Sequence, residues 1–327
     1  MGSYSPLYDQ TIHTIHIPED VRQSGKPTPE LIAEGAAFLH KDGIIILDNA
    51  IDTDHIDALN AKLSPEAFEI ANDPDHHFNF GKQTRNMDQA PPPTKSLMFK
   101  DVWCNPFAAA ILAAVLGPQP VVHYANGNTA LKAPPTGRQP VHSDCEFRHP
   151  AYFPFAHVIN INLVDTSPEN GSTEFWPGSH HVSVNEAHNL VSEHEDQLTI
   201  KTELVEQRRR HSPPFQACTK RGSLIIRDLR LWHAGMPNLT DEPRVMLAFV
   251  VQPAWYQGRS KIQLPLAVKD LVESWSDELQ YDVDWVDGEV EHKKLSSDGV
   301  DFDTRSPVLE KYREELSKWP EYVPRWY

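Results

Sequence analysis

The sequence predicts a mainly β protein with flanking helices, its core a β sandwich or barrel. Three observations carry this reading. Runs of branched apolar residues have the length and composition of strands: Val121-Val122-His123-Tyr124, Val158 to Val164, Ser223-Leu224-Ile225-Ile226 and Val245 to Val251. Turn signals separate them, Asn170-Gly171 and Pro177-Gly178 being the strongest. Helical patterns with cap signals lie ahead of the strand-rich part, and a mixed helical pattern follows it.

Taken in order, residues 1–27 are polar and irregular and read as an N-terminal arm. Residues 28–120 form a helical part with a lid loop. Thr28-Pro29 supplies a cap and a proline at the first helical position, and Leu31, Ile32, Gly35, Phe38 and Leu39 give one apolar face. Lys41-Asp42-Gly43 breaks that helix, and Ile44-Ile45-Ile46-Leu47 follows as a buried strand. Asp52 caps a second helix carrying Ile56, Leu59 and Leu63. Residues 64–96, rich in Pro, Asn, Asp and His, read as a long loop, a class usually functional or disordered. Asn105-Pro106 opens a third, alanine-rich helix that Gly117-Pro118 ends. The β core spans 121–256, and residues 257–327 form a C-terminal cover. No internal repeat or low-complexity linker divides the chain, so 1–327 reads as one elaborated domain.

Charge narrows the partners. A formal net charge of −16 argues against nucleic acid or an anionic membrane surface. The basic run Arg208-Arg209-Arg210-His211 reads as a solvated loop or helix end. Cys104, Cys145 and Cys218 are scattered and make no CxxC pair, which suits a reducing compartment. No charged n-region precedes an apolar stretch, and the longest apolar run, Phe107 to Leu116, is too short to span a bilayer. The expected location is cytoplasmic.

Two stretches carry chemistry. In Gln139-Pro140-Val141-His142-Ser143-Asp144, an extended backbone would point His142 and Asp144 to one face and Ser143 to the other. Among 17 His and 46 acidic residues such a pair is weak alone, and a surface pair is its plain alternative. The second stretch runs from Arg221-Gly222 through Trp232-His233 to Arg244. It reads as a strand beginning at Gly222 and carrying His233 near its end, a turn, and a strand opened by Arg244. That hairpin would set His233 and Arg244 opposite one another at about 5 Å between Cα atoms. Two imidazoles and one carboxylate suit non-haem Fe(II) with open coordination positions. A guanidinium beside them suits a small dicarboxylate.

With these residues in register, the chain resembles the phytanoyl-CoA dioxygenase family, most of all its fungal members. The likeness runs from about Glu34 to Tyr256 and includes the segment Pro168 to His180, with its Asn-Gly and Pro-Gly-Ser-His signature. The resemblance implies a double-stranded β-helix (jelly-roll or cupin-like) and an oxygenase dependent on Fe(II), the co-substrate 2-oxoglutarate and O2. His142, Asp144 and His233 match its catalytic iron ligands, and Arg244 matches the residue holding the distal carboxylate of 2-oxoglutarate. Gln139 and Thr173 match positions that add hydrogen bonds to that co-substrate. Asp144 keeps the carboxylate that related halogenases replace, which implies oxygenation, most simply hydroxylation of a small organic metabolite in secondary metabolism. The same chemistry on an acyl-CoA or a protein side chain, and a non-catalytic binding module, are the alternatives. His180 and His181 read as loop-forming residues, and His76-His77 as part of a solvated loop. Tyr124, Asn126 and Asn128 alternate along a strand that either faces the pocket or packs. The oligomeric state is open, a homodimer included.

Overall fold

The computed structural model describes residues 12–145, 154–182, 184–188, 198–297 and 300–303. In chain order its strands are β1 (Thr14–His16), β2 (Ile44–Asp48), β3 (Asn86–Asp88), β4 (Val121–Ala130), β5 (His157–Asn162), β6 (Glu174–Phe175), β7 (Phe215–Gln216), β8 (Leu224–Asp228), β9 (His233–Ala234), β10 (Met246–Gln252), β11 (Ile262–Pro265), β12 (Gln280–Tyr281) and β13 (Val283–Val286). The largest sheet runs β1-β2-β8-β5-β10-β4-β12, with β3 added on β4. A three-stranded sheet, β7-β6-β9, is separate from it.

Alternation along three central strands gives the large sheet two different faces. Ile159 and Ile161, Leu224 and Ile226, and Leu247, Phe249 and Val251 all join the main apolar cluster. Leu31, Leu39, Ile56, Leu59, Leu63, Phe107, Ile111 and Leu112 from three helices join the same cluster. Val158, Asn160, Arg227, Met246, Ala248 and Val250, on the intervening positions, line a cavity instead. One face is therefore greasy and helix-covered, and the other carries chemistry.

The caps place those helices as the sequence predicts. Thr28 Oγ1 accepts the Leu31 amide at the start of Pro29–Asp42, and Asp52 Oδ1 accepts that of Asp54 at the start of Thr53–Ala71. Asn105 Oδ1 accepts the amides of Phe107 and Ala108, both at 3.1 Å, opening Pro106–Leu116. Gly43 ends the helix Pro29–Asp42 at φ +73, and any Cβ there would fall 2.4 Å from His180 Nδ1.

Four expectations change. The described part of residues 1–27 is not a loose arm. Strand β1 pairs in parallel with β2, and Ile15 and Ile17 are buried in the main cluster. The loop expected over 64–96 begins later, because the helix Thr53–Ala71 continues through Pro65. Burial of Ala67 and Ile70 against Phe78, Met87 and Leu131 offsets the hydrogen bond that Pro65 cannot donate. Within the same stretch, Asn86–Asp88 pairs with β4. The segment 222–233 is not one strand either. It leaves the large sheet after Asp228, turns through a Leu231 amide to Asp228 carbonyl bond, and enters the small sheet at His233. Finally, the described part of the cover is not mainly helical: β11 and β13 pair in parallel, beside the short helix Lys269–Glu273. Residues 304–327 lie outside the described residues. Among the described residues, no helix is long and apolar enough to cross a membrane, and Cys104, Cys145 and Cys218 form no disulfide.

The turn after β8 is held by a buried ion pair. Arg230 donates through Nε to Asp228 Oδ1 at 2.8 Å and through Nη2 to Oδ2 at 2.7 Å. His157 and His180 sit close to this pair, and burial lowers them to about 4 and about 3. The unfolded chain takes up these two protons near pH 6.5, and the folded protein does not. Stability from the neutral imidazoles is thus complete above about pH 6.5 and declines as the pH falls towards 4. Urea midpoints of the metal-free protein are expected to be level from pH 8 to 7 and to fall steadily between 6.5 and 4. Level midpoints through that window would show that these histidines are not held neutral.

Candidate active site

The small sheet brings the two histidines together. Phe175 on β6 pairs with His233 on β9, and His233 in turn pairs with His142. The His142 amide donates to the His233 carbonyl at 2.9 Å, and the His233 amide returns a bond of 2.8 Å. Residues exchanging both backbone bonds carry their side chains on the same face, and the two imidazole centroids lie 4.2 Å apart. Asp144 follows two residues on, its amide bonded to the Leu229 carbonyl. Ser143 turns away, its hydroxyl 2.9 Å from His188 Nε2, as the alternation predicts.

Each imidazole is oriented from behind. His142 Nδ1 lies 2.9 Å from the Pro140 carbonyl, and His233 Nδ1 lies 2.9 Å from the Leu231 carbonyl. A carbonyl only accepts, so both Nδ1 atoms carry hydrogen, which leaves Nε2 of the neutral ring with its lone pair facing forward. Asp144 Oδ1 stands 3.6 Å from His233 Nε2 and 3.9 Å from His142 Nε2. One donor atom from each of the three residues lies within 4.8 Å of the others. Burial, then the Arg227 cation and His142, depresses His233 well below the ordinary imidazole range. Burial would raise Asp144, but the Arg227 guanidinium, His233 and His142 together hold it below the usual carboxylate range. A neutral imidazole and an ionised carboxylate are the protonation states that metal ligation needs. The donor set and its backing fit a divalent ion with open coordination positions.

The cavity in front of these donors has a volume of about 430 Å³. Gln139, His142, Asp144, Thr173, His233 and Arg244 all line it, so every site residue expected from the sequence reaches one space. Arg244 is almost completely buried at 1 % exposure, and Nη1 donates to Asn162 Oδ1 at 3.2 Å. Among the described residues its Nε has no partner, and burial lowers the group to about 10, still cationic at neutral pH. A buried cation without an anion is costly, which fits a site for a dicarboxylate. Gln139 Oε1 accepts the Gly235 amide at 2.8 Å, while its Nε2 has no partner among the described residues. A Cβ on residue 235 would fall 2.4 Å from Gln139 Oε1, so a side chain there would displace Gln139.

The expected hairpin geometry does not hold. His233 faces His142 and Phe175, whereas Arg244 bridges to Ala130 at the end of β4. The change of sheet after β8 separates the two ladders, and the cavity reunites their side chains. His180 is buried with Nε2 at the His40 carbonyl and does not line the cavity. Tyr124 and Asn128 line it, while Asn126 Oδ1 accepts the Gly127 amide. His77, expected in a solvated loop, also lines the cavity.

Sequence reasoning passes over several wall residues. Phe80, at φ +58, sets its ring 4.5 Å from that of His142. Asp88 lies at the cavity edge and accepts the Ser297 amide at 2.6 Å and hydroxyls from Ser296 and Ser297. Phe302 meets Tyr124 edge to face at 5.5 Å. Arg227 bonds Asp144 directly. Its signal was an arginine inside an apolar strand run, Leu224-Ile225-Ile226-Arg227, where a charge is expensive without a partner.

A cavity of this kind belongs to the oxygenases that use Fe(II), 2-oxoglutarate and O2. The chain belongs to the phytanoyl-CoA dioxygenase (PhyH) family, whose profile matches residues 39–246. Solved structures agree in fold. EctD from S. alaskensis, determined with 2-oxoglutarate and 5-hydroxyectoine, is 19% identical over 71% of this chain and 80% of that one, with a TM-score of 0.52. Its apo form covers 86% of this chain and 94% of its own at 17% identity and a TM-score of 0.51. The epimerase SnoN, in complex with Fe3+, alpha ketoglutarate and nogalamycin RO, is 18% identical over 69% of this chain and 85% of that one, with a TM-score of 0.50.

Proposed function

We propose that this chain oxidises, by hydroxylation, a C–H bond of a small organic metabolite, with release of succinate and CO2. One observation carries the reading: the donors of His142, Asp144 and His233 face the same cavity as the buried Arg244, which pairs with no anion among the described residues. The proposed frame is a single oxygenase domain on a double-stranded β-helix, working in the cytoplasm and in secondary metabolism.

His142 Nε2, His233 Nε2 and one oxygen of Asp144 would hold the metal. When bound, Fe(II) supplies the redox chemistry by which O2 oxidatively decarboxylates 2-oxoglutarate and a C–H bond is oxidised. Arg244 would clamp the distal carboxylate of 2-oxoglutarate through two N–H groups. Gln139 Nε2 and the Thr173 hydroxyl would add hydrogen bonds to the same co-substrate. Phe80, Val158, Leu198, Val250 and Phe302 exclude water from the space left for the substrate.

The walls favour a small metabolite over an acyl-CoA. Among the described lining residues, the only arginines or lysines are Arg227 and Arg244, and both are buried. The phosphates of CoA would find no basic groove there. Similar folds determined with 5-hydroxyectoine and with nogalamycin RO accommodate compounds of the proposed size class.

Anaerobic titration of the apo-protein with Fe(II) and then 2-oxoglutarate tests the reading. The metal-to-ligand charge-transfer band is expected in the parent protein and absent in His233→Ala. A folded parent protein without the band would favour a binding module that has lost turnover.

A further inference from the structure

We propose that Arg227 is a positioning residue that makes Asp144 a one-oxygen ligand, an inference that rests on the metal assignment above. Arg227 lies on β8 opposite Val158 of β5, in the middle of the large sheet, and is 5 % exposed. Its Nη2 donates to Asp144 Oδ2 at 2.6 Å, and its Nε donates to Asn160 Oδ1 at 3.0 Å. Asn160 sits one pleat along β5, paired with Ala248 of β10. The guanidinium is thus fixed at two points, and Arg227 and Asn160 both stand on regular strands, which position side chains more tightly than loops do.

That clamp separates the two oxygens of Asp144 before any ion arrives. Oδ1 is the atom nearest the histidine donors, 3.6 and 3.9 Å away. Oδ2 is engaged by Arg227. A carboxylate without such a partner binds a divalent ion through one oxygen or both. Two-oxygen binding would occupy a position that a chelating keto acid and O2 need. A charge-assisted bond of 2.6 Å is roughly twice as strong as a neutral one, enough to hold Oδ2 back. Among the described lining residues Arg244 is the cation left for the co-substrate, so the two buried arginines divide the work: one shapes a ligand, the other receives an anion.

Mn(II) is the probe, because the number of waters it carries is read from water-proton relaxation. In Arg227→Met, Mn(II) is expected to carry about one water fewer than in the parent. Because 2-oxoglutarate must then displace the second oxygen of Asp144, its affinity for the Mn(II)-protein is expected to fall about tenfold or more, about 1.4 kcal/mol. Arg227→Lys keeps a cationic donor at Oδ2 and is expected to restore the parent water count. Parent-like water count and 2-oxoglutarate affinity in Arg227→Met would overturn the inference. If Arg227→Met does not fold, Arg227→Gln, polar but without the cation that holds Oδ2, decides: a reduced water count supports the clamp, and a parent count overturns it. Failure of the parent itself to bind Mn(II) or Fe(II) would instead overturn the metal assignment.

Discussion

Arg244→Ala is expected to weaken 2-oxoglutarate binding by about two orders of magnitude, with Fe(II) affinity changed by no more than a few fold. Arg244 is buried, donates to one acceptor on Asn162, and has an Nε without a partner among the described residues. Removing one member of a buried charge pair costs about 2–5 kcal/mol, and about 2.7 kcal/mol corresponds to a hundredfold. Arg244→Lys should recover little, because a point charge cannot make two parallel bonds to a carboxylate. Independent titrations of Fe(II) and of 2-oxoglutarate check the split. Equal losses for both ligands would mean that Arg244 braces the fold and does not receive the anion.

Asp144→Ala is expected to do two kinds of damage. The first is loss of the charge-transfer band, since the only carboxylate in the donor group is gone. The second is lower stability of the metal-free protein, by about 3 kcal/mol, because Arg227 is left buried with Asn160 as its remaining partner. The double variant Asp144→Ala/Arg227→Met should regain most of that stability and none of the metal binding. Urea denaturation in the presence of a chelator measures the stability, and Fe(II) titration the metal binding. An Asp144→Ala protein as stable as its parent would show that the ion pair contributes nothing to the apo fold.

The fold and the site were legible to different depths. Thr28, Asp52 and Asn105 announce helix starts, because a cap is a contract between one side chain and the next few amides. The apolar runs on β5, β8 and β10 announce strands for the same local reason. His142 and Asp144 carried their own signal as a spaced pair, His233 and Arg244 were reached through a hairpin that the fold does not form, and Gln139 and Thr173 could be joined to them only through a family likeness. Pro65 misled in the other direction: the local rule ends a helix there, and packing of Ala67 and Ile70 overrides it.

The sequence by itself determined the chemistry: two imidazoles, one carboxylate and a separate arginine, with the caps and strand runs that carry them. Tertiary structure alone decided how these meet. The chain leaves one sheet after Asp228 and joins another at His233, so the ligand histidines pair with each other and not with the arginine. Arg227 acquires its role in the same way, since its bond to Asp144 spans 83 residues of chain. His77, Asp88 and Phe302 form the cavity wall for the same reason. Local propensity acts over a few residues, whereas burial of a common apolar face brings together groups that no sequence window contains.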